Sequence, residues 1–76
     1  MQASEIVYRI RTKKHEEHYK EWSQHPSESV RYELAKQGYF PDTFINDKSP
    51  EVRQETVKAH PEYITKLLRQ KKDVRV

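Results

Sequence analysis

The sequence predicts an all-α fold built of short units, each a helix, a tight corner and a second helix, and three observations carry that prediction. The first is an internal register of 22 residues: sliding the chain by that amount lays Val30-Arg31 on Val52-Arg53 and then on Val74-Arg75. Between residues 25–46 and 47–68 six positions are identical: Ser27/Ser49, Val30/Val52, Arg31/Arg53, Glu33/Glu55, Lys36/Lys58 and Thr43/Thr65. Ala35/Val57 and Ile45/Leu67 exchange one apolar side chain for another in the same register. The second observation is punctuation, since Ser, Pro and Gly fall where helix starts and stops need them. The third is composition, with 33% apolar and 36% charged residues against about 45–50% and about 25% in a typical globular chain. A domain of this size buries only about 60% of the surface its unfolded chain exposes. So sparse an apolar set calls for a partner or a second copy.

Taken in order, residues 1–24 form an N-terminal arm and a capping helix. In Glu5 to Arg11, Ile6, Tyr8 and Ile10 alternate with Val7, Arg9 and Arg11. That alternation would suit a strand, but a lone strand has no partner here, so the segment is read as a helical turn or an extended arm. Thr12 is placed as the cap of a helix running to about Ser23, with Glu16 and Glu17 in its first turns and His15, Tyr19 and Trp22 on one face. The first unit, residues 25–46, starts at the cap Ser27. It carries the stripe Val30, Leu34 and Ala35, stops at Gly38 and restarts at Pro41 in a short helix with Phe44 and Ile45. The second unit, residues 47–68, has Ser49 as cap, Pro50 at the first helical position and Glu51 at the positive end of the helix dipole. Its first helix reaches about Ala59 with Val52, Thr56, Val57 and Ala59 inward, and Pro61 opens a longer one with Tyr63, Ile64, Leu67 and Leu68. Residues 69–76 are a basic tail that opens a partial third unit.

The segment NDKSPEVRQETVKAHPEYITKLL, residues 46–68, resembles the leucine-rich-repeat-variant and HEAT-like units, in which an Asp precedes a capped helix with a Val-Arg pair. Residues 24–45 resemble the unit more weakly, with His25 standing where the second copy has Asp47. The resemblance implies a short right-handed helical-repeat bundle of about five helices, an α-solenoid whose repeats bind a protein partner or, less often, nucleic acid. The 22-residue length favours the shorter variant repeat. The iron-sulfur cluster associated with a leucine-rich-repeat-variant protein does not carry over, because the chain has no Cys. About three units are needed to bury one another's faces, so the helix around Trp22 is read as the N-terminal cap.

Function is read from charge, aromatics and what is missing. Residues 1–14 carry a net +3 and residues 66–76 a net +4, while the body between them carries −4. Basic ends of this kind either keep a small domain in solution or steer it to nucleic acid. Arg31, Arg53 and Arg75 recur at one place in each unit. They are read either as a comb for phosphate or carboxylate or, in preference, as a structural ladder in which each Arg forks onto an Asp or onto helix-end carbonyls, with Asp47 the obvious partner. His15 and His18 lie three apart beside Glu16 and Glu17, a pair able to bind zinc or nickel when further ligands converge. No spacing supplies a third and fourth ligand, so the pair is read as a solvated face. His25 and His60 each precede a proline and are assigned to corners. Of eight aromatic residues, part must be core, and at Tyr39-Phe40 one ring is expected to pack while the other is exposed.

Carboxylates are spaced to pair with bases, as in Glu33/Lys36, Glu55/Lys58 and Glu62/Lys66. One Gly and no Cys exclude a phosphate-binding glycine loop, a zinc finger and a thiol nucleophile. No enzyme and no cofactor are expected. With no long apolar stretch, a cytoplasmic protein is the default. The expected function is an interaction module binding a protein partner or itself, with Arg31, Arg53, Arg75, Tyr39, Phe40, Trp22, Lys71 and Lys72 as the candidate interaction residues; the alternative is an accessory protein binding nucleic acid through its basic ends. The apolar end around Leu67, Leu68, Val74 and Val76 is either buried in a twofold homodimer or kept in water by Lys71, Lys72 and Arg75.

Overall fold

The computed structural model describes residues 2–65, and these form helices joined by short turns, with no strand among them. Five α-helices are present among the described residues: α1 (Ala3–Arg11), α2 (Tyr19–Trp22), α3 (Glu28–Lys36), α4 (Pro41–Phe44) and α5 (Pro50–Ala59). A 3₁₀ turn at Glu16–His18 leads into α2, and another at Pro61–Tyr63 follows α5. None of the described helices is long and apolar enough to cross a membrane. The expectations placed on Leu67, Leu68, Lys71, Lys72, Val74, Arg75 and Val76 lie outside the described residues.

The segment from Glu5 to Arg11 is a full helical stretch, because the spacing that matters is Ile6 to Ile10. These two sit four apart on one helical face and are both buried, while Tyr8, between them in sequence, points away at 64% exposure. Thr12 does not open the next helix. It closes α1, its hydroxyl donating to the carbonyls of Tyr8 and Arg9 at 3.1 Å. Lys13 then takes a left-handed backbone, φ 59°, with Lys13 N–H on Ile10 O and Lys14 N–H on Arg9 O. Gly38 ends α3 the same way at φ 91°, with Gly38 N–H on Ala35 O and Tyr39 N–H on Leu34 O. Both are the paired 6→1 and 5→2 bonds that finish a helix on a left-handed residue.

Helix α3 is the centre of the molecule, packed against α1 on one side and α5 on the other. Its Val30, Leu34 and Ala35 join Ile6, Ile10, Tyr19, Trp22, Phe44 and Val52 in one core. The predicted starts at Pro41 and Pro50 stand where the chain places them. In α5, Val52 and Thr56 are buried and Val57 half-buried, but Ala59 is exposed because the last turn runs past the edge of α3. Glu33, expected on a solvated face beside Lys36, is instead buried and accepts from Arg11 Nε and Gln37 Nε2, each at 3.1 Å. The Arg11 contact ties the C-terminal end of α1 to α3. Glu55 and Lys58 do pair on the surface, at 3.2 Å.

Candidate functional site

The 22-residue register brings the two described arginines of the repeated Val-Arg pair to equivalent places. Arg31 Nη1 donates to the carbonyl of His25, six residues back, at 2.8 Å, and Arg53 Nη1 donates to the carbonyl of Asp47, also six back. The corner residues match as well. Ser27 N–H donates to His25 Nδ1 at 3.0 Å, and Ser49 N–H donates to Asp47 Oδ1 at 2.8 Å. His25 thus does with a ring nitrogen what Asp47 does with a carboxylate oxygen, since both place an acceptor two residues ahead of the N–H that opens a helix. The two serines differ. Ser49 Oγ accepts from Val52 N–H at 3.4 Å and donates to Glu28 Oε2 at 2.7 Å, whereas Ser27 makes no side-chain cap.

What separates the two arginines is the rest of the fork. Arg31 Nε and Nη2 grip Asp47 Oδ2 and Oδ1 at 2.8 and 3.3 Å, and Nη1 also reaches Pro26 O at 3.0 Å. Both side chains of this pair are under 10% exposed. Asp47 is therefore the partner of Arg31, and Arg53 takes only its backbone oxygen. Among the described residues no carboxylate engages Arg53, which is half-buried. Sixteen residues on from Arg31 stands Asp47; sixteen on from Arg53 stands Arg69, another cation.

The aromatic candidates sit inward. Trp22 is 8% exposed and lies in the core beside Tyr19, and Tyr39 meets Tyr19 edge-on at 5.0 Å between ring centres. Phe40, left-handed at φ 50°, packs against Phe44, so both rings of the Tyr39-Phe40 pair are half-buried and neither stands out as the exposed partner. Tyr8, absent from the candidate residues, is the exposed aromatic of the described chain, next to Arg9 in sequence. The Ile6 to Ile10 spacing was the signal that would have turned it outward. Burial, then Tyr39 and Glu16, push the Tyr19 phenol above its usual range, and its hydroxyl donates to Ile10 O at 3.3 Å. A hydrogen bond to Asp42, followed by lesser burial and charge effects, raises Tyr63.

Four basic residues gather where α1 ends: Arg9, Arg11, Lys13 and Lys14, the last three exposed. On the same side His15, Glu17 and His18 each bring one donor atom to within 4.8 Å of the others. Comparison with known proteins finds no matching family model, no similar curated protein and no similar solved structure.

Proposed function

We propose that this chain is a small helical-repeat interaction module of the HEAT-like kind, binding an acidic protein segment or a second copy of itself at the end of the stack beyond α5. One observation carries this reading: Arg31 and Arg53 are placed alike, yet the fork of Arg31 is closed by Asp47 while Arg53 meets no carboxylate among the described residues. A guanidinium fork held at one nitrogen by a carbonyl is already oriented, so an incoming carboxylate can meet the N–H groups of Arg53 that no described residue engages. The role is binding rather than catalysis. Its test is retention of a protein from the native host by the wild type and by Arg53→Ala, with unfolding midpoints measured in parallel. A partner lost with Arg53→Ala while stability holds supports the module, and equal retention argues against Arg53 as the contact.

A second reading has its own observation, the exposed cluster Arg11, Lys13 and Lys14 at the end of α1. A nucleic-acid accessory protein using it would lose affinity steeply with salt, with a log-log slope of about −0.9 for each phosphate neutralised. A flat salt response removes that reading.

A further inference from the structure

The left-handed end of α1 does more than stop a helix. After Lys13 at φ 59°, His15 is again left-handed at φ 62°, and this turn delivers the chain into the 3₁₀ segment Glu16–His18. A 3₁₀ turn has three residues, so side chains at i and i+3 stand nearly over one another. His15 and His18 accordingly face each other with ring centres 6.2 Å apart. Glu17 closes the third corner. Its Oε2 lies 3.9 Å from His15 Nδ1 and 3.8 Å from His18 Nε2.

We propose that His15, Glu17 and His18 form a zinc site. Two donors about 2.0–2.1 Å from a tetrahedral zinc ion sit about 3.3 Å apart, so the two contacts to Glu17 have to close by about half an ångström and the two imidazole donors, within 4.8 Å of each other, by up to about 1.5 Å, a rearrangement open to exposed side chains through rotation. Two imidazoles and a carboxylate with a fourth position open to water are a donor set that zinc accepts. The second shell agrees. Glu21 Oε1 stands 3.5 Å from His18 Nδ1, the nitrogen turned away from Glu17, which is where a carboxylate holds a metal-binding histidine in the right tautomer. Glu17 and Glu21 together offset the charge of the ion.

Arg9 opposes the site. Its Nη1 donates to His15 Nε2, which leaves the ring proton on Nδ1, while its Nη2 holds Glu5 Oε2 at 3.2 Å. For zinc to take Nδ1, the proton must move to Nε2 and Arg9 must let go, retaining Glu5. Removing Arg9 therefore strengthens binding.

The sole tryptophan reports on the site, because Trp22 lies 5.6 Å from the His18 ring between centres. Zinc chloride titrated into the full chain at neutral pH should give a saturable change in Trp22 emission, with isothermal titration returning one ion per chain. His15→Ala, His18→Ala and Glu17→Gln should each weaken binding at least about ten-fold and Glu21→Gln by about ten-fold. Arg9→Gln should tighten it several-fold, and Glu62→Gln, at the separate His60 and Glu62 contact, should leave it unchanged. Far-UV circular dichroism confirms that each variant is folded. The proposal is overturned if the wild type shows no one-site binding by calorimetry, if Glu17→Gln binds as the wild type does, or if Arg9→Gln binds no tighter.

Discussion

Lys13 and Gly38 occupy the same left-handed position at the ends of α1 and α3, with different consequences for stability. A side chain there costs about 1–2 kcal/mol, part of which a glycine gives back through its freer unfolded chain. Lys13→Gly should therefore stabilise by about 0.5–1 kcal/mol, raising the melting temperature by a few degrees. Gly38→Ala should do the reverse, since an added Cβ finds His60 Nε2 at an ordinary 3.5 Å and the cost lies in the backbone. The two arginines separate in the same manner. Arg31→Ala strands a buried Asp47 and is expected to cost about 3 kcal/mol, whereas Arg53→Ala gives up one carbonyl bond among the described residues, at about 1 kcal/mol. Urea unfolding of both variants checks the ranking, and equal midpoints would dissolve the distinction between a closed and an open fork.

At the scale of elements, the apolar core that joins α3 to its neighbours is supplemented by a small set of polar contacts at helix ends. His25 holds the N–H that opens α3, and Asn has an acceptor at a similar reach. His25→Asn should keep the wild-type urea midpoint, while His25→Ala should lose about 1 kcal/mol; a harmless alanine would mean the corner is held by Arg31 alone. Tyr19 does the same work between α2 and α1 through Ile10 O. Its phenol is raised, first by burial, so the folded state keeps a proton that the unfolded chain releases. That contribution is complete below the ordinary tyrosine value of about 10 and is lost as pH rises through the folded value. Tyr63, raised first by its hydrogen bond to Asp42, acts in the same direction. Between pH 9 and 11 the melting temperature of the wild type should fall more steeply than that of Tyr19→Phe, and parallel slopes would show that the loss comes from elsewhere.

For the whole molecule the issue is how a chain with 33% apolar residues holds together. A single core runs from Ile6 to Val52 through the central α3, and Ile64, 49% exposed, leaves an apolar side chain uncovered near the end of the described chain. A second copy covering that end would stabilise by mass action and close the assembly about a twofold axis. Sedimentation equilibrium at tens of micromolar should then return more than the 9.2 kDa of one chain. A clean single-chain mass whose helicity survives dilution would leave self-association without support and a different protein as the occupant.

By itself the sequence determined where helices start and stop: Ser49 with Pro50, Pro41 and Gly38 each act through a fixed φ, a side-chain acceptor or a missing Cβ, and those causes reach only a few residues. It also placed Val30, Leu34, Ala35 and Val52 inside through helical spacing within their helices, whereas Phe44 and Ile45 were assigned only to the short helix and it is the tertiary packing that buries both. Thr12 misled for the same local reason, since a threonine ahead of acidic residues looks like a helix start until Ile10 is buried and the preceding helix claims the hydroxyl. Which charges are buried was decided only by tertiary structure. Glu33 goes inside because α1 crosses α3 where Arg11 and Gln37 meet it, and Asp47 belongs to Arg31 because the corner before α5 folds back against the corner before α3. The convergence of His15, Glu17 and His18 likewise depends on two left-handed residues that have no glycine to announce them. Such partners are chosen by which faces meet in space, and no local signal carries that information.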